Sequence, residues 1–479
     1  MSSINHAYQS LLSANHKAIN RPRLIIPVVL GIIALLGAIR LLVSETGRNH
    51  YASWILSSAK TQHGLATIEI LGGIPSTRNL HMTRGQCQVA FPRLYQEADR
   101  AQGYFADKGG ISKADVDLAE EEGNARVVIL NNTLFVKAFR GGINSRTQAS
   151  LATIYRTLLT SSESLPDVEF VIQTGDAGGG TAAAFALSRK AEQEHLWLMP
   201  DFGFFSWPEP GISSYLEIRQ ETLNRERDIA SGARRPLKLV ARQFEEDIVP
   251  DVKIGQELHS DIGFDEDATD ASPNSWSGKI PKLIWRGVPQ VEVRNELLRA
   301  AEGQPWSDVQ SLDWGRINDE DKKTNGGDLK TMPEHCDYRY LMQTEGWGYS
   351  GRLKYLQQCK SVVISHPMEH IQHFHHLFDT NPSSPTQNMI EVARPLEKHL
   401  PAVMEHLIAQ GDERAQLIAE NSWRDLREGY ISPAANECYF RYAIRAYAAV
   451  QNFKPDLEGR SASYESFLLT GQTQWQPHR

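Results

Sequence analysis

The chain has 479 residues and a formal net charge of −8, and 41% of its residues are hydrophobic and 23% are charged. This composition is typical of a folded protein, and the length exceeds one ordinary hydrophobic core, so two domains are expected. The negative charge and the lack of a basic patch interleaved with aromatic residues exclude nucleic acid as the main partner.

The N-terminus contains a long apolar run, from which we predict a transmembrane signal-anchor at residues 24–43. About twenty residues at 1.5 Å each just span a bilayer. The residues before the run include three basic and no acidic side chains: Lys17, Arg21 and Arg23. The positive-inside rule therefore places residues 1–23 in the cytosol and the chain after residue 43 across the membrane. A cleaved signal peptide is the alternative.

Residues 44–80 lack periodicity and are predicted to be a stem, followed by an N-terminal α/β domain at 81–255. Patterning in this domain predicts helices at 88–107 and 147–160 and strands at 125–130 and 168–174. The sequence TAAAFALSRKAEQEH, residues 181–195, is rich in helix formers and is predicted to be a helix.

Residues 256–280 are acidic and rich in turn formers, and are predicted to link this domain to a second α/β domain at 281–450. In the second domain we predict a strand at KLIW, a helix at 291–302 and a strand at 389–393. Helices are predicted between 396 and 450, and residues 451–479 are interpreted as a tail. Two α/β domains joined by a linker imply a cleft between them.

The four cysteines, Cys87, Cys336, Cys359 and Cys438, are too scattered for a zinc module and too few for a disulfide scaffold. One or two bridges are compatible with this spacing, and the sequence does not determine which cysteines pair. Asn131 lies in the only glycosylation sequon, which agrees with a lumenal chain.

Asp176 follows the predicted strand VEFVIQT, within a glycine-rich loop. Ligands of α/β sheets collect at the carboxyl ends of strands, where a carboxylate can act as a general base. The alternative is an Asx turn that caps the next element. The loop lacks the Gly-Lys-Ser/Thr ending of a phosphate-binding P-loop.

Arg352, in the stretch Ser350-Gly351-Arg352, lies in the first turn of a predicted short helix that precedes the strand SVVIS. A cation is unfavourable there unless an anion lies nearby. The anion could be a carboxylate such as Glu345, or a bound phosphate.

Two further patterns match metal-binding motifs, but both are better explained without a metal. His366-Pro367-Met368-Glu369-His370 fits the string of inverted zinc proteases, but it follows a strand and begins with proline, so its histidines are not expected on one helical face. Asp265-Glu266-Asp267 matches an acidic metal-binding string of sugar transferases, but it lies in the acidic linker, where a solvated charge run is expected.

Four stretches of the chain together resemble glycosyltransferase family 90, the group of fungal capsule-type xylosyltransferases and animal protein O-glucosyltransferases. They are LWLMPDFGFFSWPEP (196–210), KLIWRG (282–287), HCDYRYLMQTEGWGYSGRLKYLQQCKSVVIS (335–365) and NSWRDLREGYISPAANECYFRYAIRAY (421–447). The resemblance covers most of residues 81–450 in the family's order.

The resemblance implies an α/β fold of GT-B-like type, with two Rossmann-type halves around a cleft and the UDP-sugar held mainly by the C-terminal half. Family members invert configuration at the transferred sugar, and Asp176 matches the family's catalytic base. Donor-binding residues are expected at Arg286, Gly287, Ser350, Gly351 and Arg352, and acceptor contacts at Asp201, Trp207 and Glu209. With two arginines to neutralise the diphosphate, no cofactor or metal is expected; Mn²⁺ or Mg²⁺ is compatible with the family but not predicted.

The expected function is the transfer of xylose or glucose from a UDP-sugar to a hydroxyl of a glycan or glycoprotein. The expected location is the Golgi membrane, with the ER membrane as the alternative. Gly175 and the glycines after Ala177 depart from the pattern of the animal branch, which puts a protein acceptor in doubt. A protein O-glucosyltransferase and a non-catalytic glycan-binding or scaffold relative stay open as alternatives.

Overall fold

A computed structural model describes residues 77–473, apart from 141–143, 178, 181–182, 208–211, 234–273, 314–328, 410–411 and 460. The predicted signal-anchor at 24–43, Glu209 and the acidic string at 265–267 lie outside the described residues. Within them, no helix is both long enough and apolar enough to cross a membrane.

The described chain is a mixed α/β structure, which confirms the predicted class. The helices are α1 (Arg84–Ala90), α2 (Gln96–Asp107), α3 (Lys113–Glu122), α4 (Ser145–Leu159), α5 (Tyr215–Ala230), α6 (Glu292–Ala301), α7 (Met332–His335), α8 (Leu353–Leu356), α9 (Leu396–Ala409), α10 (Asp412–Ser422), a π-helical segment (Trp423–Tyr430), α11 (Pro433–Val450) and α12 (Tyr464–Thr470). The strands are β1 (Ala125–Leu130), β2 (Thr133–Phe139), β3 (Val168–Gln173), β4 (Ala184–Ala186), β5 (Trp197–Leu198), β6 (Ser206–Trp207), β7 (Ile212–Ser214), β8 (Ile280–Gly287), β9 (Ser307–Ser311), β10 (Tyr338–Gln343), β11 (Val362–Ser365), β12 (Ile390–Glu391) and β13 (Ala462–Ser463).

The first sheet has six strands in the order β13-β2-β1-β3-β4-β5. β1 is antiparallel to β2 and β3, whereas β3, β4 and β5 are parallel to one another. Asn131 and Asn132 form the β1–β2 hairpin turn with φ angles of 49° and 60°, which asparagine tolerates well. Every residue of β3 is buried, so this strand lies in the centre of the first half.

The prediction of a helix at 181–195 is wrong. Residues Ala184–Ala186 instead form β4, which pairs with β3 on one side and β5 on the other. Residues 183–189 are all buried, and a central strand covered on both faces is apolar without alternation. Burial between two neighbouring strands thus overrides the intrinsic helix preference of alanine.

The second sheet has five parallel strands in the order β12-β11-β10-β8-β9. β8 and β10 are adjacent in space, and the chain leaves them in opposite directions across the sheet. This reversal of strand order creates a crevice at the carboxyl ends of β8 and β10, where ligands of open α/β sheets bind. The strands predicted at KLIW, at SVVIS and at 389–393 and the helix predicted at 291–302 are confirmed, with small shifts of their ends.

The end of the chain returns to the first half. α11 packs against α2 and α4, and β13 adds an edge strand next to β2. The Tyr439 hydroxyl donates to the Leu198 carbonyl oxygen at 3.0 Å, and a disulfide joins Cys87 to Cys438. The second disulfide joins Cys336 to Cys359 within the second half. The predicted boundaries at 256–280 and 450 stay predictions.

A buried ion pair connects the two halves. The Lys354 ammonium of α8 lies 2.8 Å from the Asp201 carboxylate, and both side chains are almost completely buried. Asp201 also accepts from the Gln372 amide at 2.9 Å and from the Gly203 backbone N–H at 2.7 Å. Because both carboxylate oxygens have donors, the charge is compensated within the protein.

We expect Lys354→Met to lower the free energy of unfolding by about 3–5 kcal/mol, because it leaves the Asp201 charge buried without its cation. The matched control is Lys113→Met, which removes a half-exposed ion pair with Asp117 and should cost about 0.3–0.5 kcal/mol. Urea unfolding followed by tryptophan fluorescence measures both. Equal losses for the two variants would contradict the role assigned to Lys354.

Candidate active site

The crevice of the second sheet begins at the end of β8. Gly287, the last residue of this strand, packs against the Trp285 indole, and a Cβ atom built at Gly287 would lie only 2.7 Å from that ring. The Trp285 Nε1–H donates to the Thr344 hydroxyl at 3.0 Å, just after β10. The absence of a side chain at Gly287 therefore leaves room for the indole, which links the ends of β8 and β10 through Thr344.

Arg352 lies over this indole, with its guanidinium carbon 5.9 Å from the ring centroid. The side chain is half-buried and makes no hydrogen bond or ion pair with any other described residue. Glu345, the carboxylate considered as its partner, instead accepts from the backbone N–H groups of Glu369 and His370 at 3.1 and 2.7 Å. α8 has only four residues, so an anion here would be attracted mainly by side-chain charge.

A second arginine strengthens the positive potential beside Arg352. Arg294 of α6 donates to the backbone carbonyls of Glu345 and Val288, both at 2.9 Å, and has no carboxylate partner in the described part of the chain. Burial, followed by repulsion from Arg294, lowers the pKa of Arg352 to about 9. Two neighbouring guanidinium groups without a counter-charge produce a positive potential that favours an anion.

The charge of Arg286, unlike that of Arg352 and Arg294, is balanced by a carboxylate. Arg286 is buried and makes an ion pair with Asp308 at 2.8 Å. His335 adds no charge, since burial, followed by the charge of Arg352, lowers its pKa to about 3. The unbalanced positive charge therefore comes from Arg352 and Arg294, and the predicted donor contact of Arg286 stays a prediction.

Asp176 follows β3 at the carboxyl edge of the first sheet, as expected. Its side chain is 46% exposed, and Oδ1 accepts from the Arg146 Nη1 at 2.5 Å. Oδ2 has no hydrogen-bond partner among the described residues. The ion pair thus orients the carboxylate and leaves one oxygen open to a ligand.

Arg146 belongs to α4 and rests on two aromatic rings. Its guanidinium carbon lies 5.1 Å from the Phe202 centroid and 6.0 Å from the Trp207 centroid. Cation–π contacts of this kind restrict where the guanidinium can lie. The position of Asp176 therefore depends on the aromatic segment that precedes α5.

The two halves meet backbone to backbone at Asp176. The Tyr349 N–H donates to the Asp176 carbonyl oxygen at 3.2 Å, and a Cβ atom built at Gly348 would lie 1.9 Å from that oxygen. Nearby, a Cβ atom at Gly351 would be 3.3 Å from the Trp207 ring. The loop before α8 therefore brings Ser350, Gly351 and Arg352 close to the loop that carries Asp176.

The residues predicted to contact an acceptor have different environments. Asp201 is fully buried in the ion pair with Lys354, so in this structure it joins the halves and is not open to a ligand. Trp207 is half-buried beside Arg146 and Gly351, at the edge of the site. Glu209 lies outside the described residues.

The histidine-rich segment is not among the groups with metal-binding spacing in the described part of the chain. His366 and His370 lie outside any helix, as expected. The His366 ring accepts a hydrogen bond from the Glu345 backbone N–H, and the His370 ring lies within hydrogen-bonding distance of the Glu345 carboxylate. Within the described ranges, the one group with metal-binding spacing is Glu226 with Cys336 and Cys359. The disulfide between these two cysteines makes their sulfurs unavailable as thiolate ligands.

Sequence reasoning missed Arg146 and Arg294. Arg146 is a cation in the first turn of a helix, the same anomaly that pointed to Arg352. Arg294 lies on the apolar stripe of α6, one helical turn from Leu297. A charged residue on a buried helix face was the signal that could have found it.

Comparison with known families gives one match over most of the chain. The model of the family described as "Glycosyl transferase family 90" matches residues 87–237 and 261–473. The two matched ranges include Asp176, Arg146, Arg294 and Arg352.

Individual relatives are similar over a shorter range. An "O-glucosyltransferase rumi homolog" of Anopheles gambiae is 28% identical over 180 residues, covering 36% of this chain and 42% of that protein. "Protein O-glucosyltransferase 3" of Homo sapiens is 23% identical over 188 residues, covering 38% of this chain and 35% of that protein. The chain thus spans less than half the length of the curated relatives it matches.

If Arg352 binds an anion, the affinity for that anion should depend on pH through the charge of the guanidinium. A guanidinium with a pKa of about 9 is charged below that pH and loses its charge as the pH rises through it. We expect the affinity for methyl diphosphate, whose own ionisation is complete by about pH 8, to fall roughly fivefold between pH 9 and 10, as the charged fraction of Arg352 falls. Isothermal titration calorimetry measures this, and an affinity unchanged up to pH 10 would contradict the assignment.

Proposed function

Because the chain belongs to glycosyltransferase family 90, we propose that it transfers xylose or glucose from a UDP-sugar to a hydroxyl group with inversion of configuration. One observation carries this proposal. An open carboxylate oxygen of Asp176 and the unpaired guanidinium of Arg352 lie at the carboxyl edges of the two sheets, and Gly348 and Tyr349 join the two loops. A base and an anion site next to each other are what sugar transfer from a diphosphate requires.

The donor occupies the crevice of the second half, in a GT-B-like arrangement. Arg352 and Arg294 bind the diphosphate, and Ser350 and Gly351 border it. Arg286 and Gly287 shape the crevice from the end of β8, Arg286 through its ion pair with Asp308 and Gly287 through its contact with Trp285. Two guanidinium groups supply paired hydrogen bonds to phosphate oxygens, which lysine cannot.

The reaction is a single displacement. Oδ2 of Asp176 takes the proton of the acceptor hydroxyl, and the hydroxyl oxygen attacks the anomeric carbon. The bond from that carbon to the diphosphate breaks, and UDP leaves with the electron pair. Arg352 and Arg294 neutralise the charge that develops on UDP, so the transfer requires no metal.

The acceptor is a glycan or a glycoprotein. A second candidate is a protein O-glucosyltransferase that acts on folded domains, which the names of the relatives support. A non-catalytic glycan-binding or scaffold protein is the third candidate, and the open Asp176 oxygen argues against it.

The proposed location is the lumenal side of the Golgi or ER membrane, with residues 24–43 as the anchor. The two disulfides support this location, since disulfides persist in oxidising compartments and are rare in the cytosol.

The test is UDP release from the full chain in detergent with a panel of UDP-sugars, with and without added acceptors. We expect turnover of UDP-xylose or UDP-glucose, unaffected by EDTA. Asp176→Asn should lower kcat by about 100- to 10,000-fold because it removes the base. Arg352→Lys should weaken UDP binding about tenfold because it removes the paired hydrogen bonds.

Matched controls use residues on the outer surface. Asp412→Asn alters a carboxylate that is 51% exposed and paired with Arg339, and Arg299→Lys alters an exposed arginine of α6. Both should retain wild-type turnover. A product with retained configuration, seen by NMR of its anomeric proton, would remove Asp176 from the role of base, and full activity of Asp176→Asn would do the same.

A further inference from the structure

Trp347 differs from the other tryptophans of the described chain. Most of them are buried: Trp197, Trp276, Trp285, Trp306 and Trp423. Trp207 is half-buried at the site, whereas Trp347 is 72% exposed. An indole left in water forgoes the large stabilisation that its burial gives, so its position calls for an explanation.

The loop that carries Trp347 is held at both ends. Before it, Thr344 accepts from the Trp285 indole, and the Glu345 carboxylate accepts from two backbone N–H groups. After it, the Tyr349 N–H donates to Asp176, and a hydrogen bond of 3.0 Å from the Gly346 N–H to the Gly348 carbonyl closes the turn. The exposed indole therefore stands on a fixed loop, which lowers the entropic cost of binding a ligand.

The surroundings of Trp347 belong to the proposed reaction centre. The next residue, Gly348, lies against the backbone of Asp176, and the Trp347 Cα is about 3.8 Å from the Gly348 Cα. In the loop that carries Asp176, the exposed residues Gly175 and Gly179 have no side chains, and a Cβ atom built at Gly175 would meet open space. The loop of Asp176 is thus open to solvent, and the loop that contacts it carries one exposed aromatic side chain, Trp347.

We propose that Trp347 is the stacking platform for a sugar ring of a carbohydrate acceptor. The face of an indole is electron-rich and attracts the C–H groups on the apolar face of a pyranose. Stacking there would leave the hydroxyl groups at the ring edge, where one of them can reach the open oxygen of Asp176. This inference rests on the proposed function and adds the class of acceptor.

A folded protein acceptor fits this surface less well. Stable contacts between folded proteins bury about 800 Å² on each partner and need several apolar anchors close together. The other large hydrophobic side chains that are exposed in the described ranges lie on helices and not on the loops at Asp176: Val89, Leu118, Leu159, Leu216, Ile408, Leu417, Leu468 and Leu469. A single exposed aromatic ring on the loop that contacts the open Asp176 loop suits a narrow, polyhydroxylated chain.

The experiment measures acceptor binding without requiring turnover. Linear xylose, glucose and mannose tri- to pentasaccharides are titrated into the full chain saturated with UDP, and binding is followed by saturation-transfer NMR. The variants are Trp347→Ala, Trp347→Phe and, as the matched control, Leu469→Ala on α12, whose side chain is 86% exposed.

We expect at least one of these oligosaccharides to bind the wild type. Trp347→Ala should weaken that binding about tenfold, and Trp347→Phe should restore most of it, because phenylalanine keeps an aromatic face. Leu469→Ala should bind as the wild type does. The UDP affinity of Trp347→Ala should change by less than about twofold, as measured by calorimetry.

Three results would overturn the proposal: unchanged oligosaccharide binding in Trp347→Ala, an equal loss of UDP binding in that variant, or a wild type that binds none of the oligosaccharides. A wild type that transfers sugar to a folded protein domain while binding no oligosaccharide would also overturn it and would favour the protein O-glucosyltransferase. UDP release tests the transferase proposal, and oligosaccharide binding tests the role of Trp347. Because the two are measured separately, failure of one proposal is distinguishable from failure of the other.

Discussion

The contact between the Gly348 and Asp176 backbones is the constraint on which the site depends. Each residue lies in a loop at the carboxyl edge of its own sheet, and no side chain larger than hydrogen fits between them. The hydrogen bond from Tyr349 fixes the register of the two loops. The proposed base and the proposed anion site are therefore positioned by main-chain atoms, which substitutions elsewhere in the cleft disturb less than they would a contact between long side chains.

The arginines around this contact divide into two kinds. Arg286 has an aspartate close by and contributes to the shape of the crevice, whereas Arg352 and Arg294 have no carboxylate among the described residues. Leaving charge uncompensated in a half-buried crevice lowers stability, and a bound diphosphate would reverse that effect. The second half is thus organised so that its own electrostatic strain favours an anionic ligand.

Much of the fold could be predicted from the sequence. Buried apolar runs bounded by turn residues located β1, β3, β8 and β11, because their pattern reflects burial on both faces of a sheet. The prediction at 181–195 failed because alanine favours a helix locally, whereas pairing with the neighbouring strands β3 and β5 makes this segment a strand. Strand order and disulfide pairing depend on contacts between distant residues, which one sequence does not specify.

The candidate site was predicted in part for similar reasons. Asp176 and Arg352 were singled out because each lies in an unusual local context, after a strand and at the start of a helix, and their functional roles stay predictions. Asp201 was expected to contact an acceptor, but it is buried in an ion pair with Lys354, which lies 153 residues further along the chain. Arg294 was missed because its importance comes from Arg352, which meets it only in the folded protein.

The disulfide between Cys87 and Cys438 imposes an order of events on biosynthesis. The two cysteines are 351 residues apart, so at ordinary translation rates Cys87 emerges roughly 20–70 s before its partner. The first sheet also lacks β13 and the packing of α11 until the end of the chain has been made. The first half consequently completes its folding last, and for that interval its thiol must avoid Cys336 and Cys359, which are synthesised before Cys438.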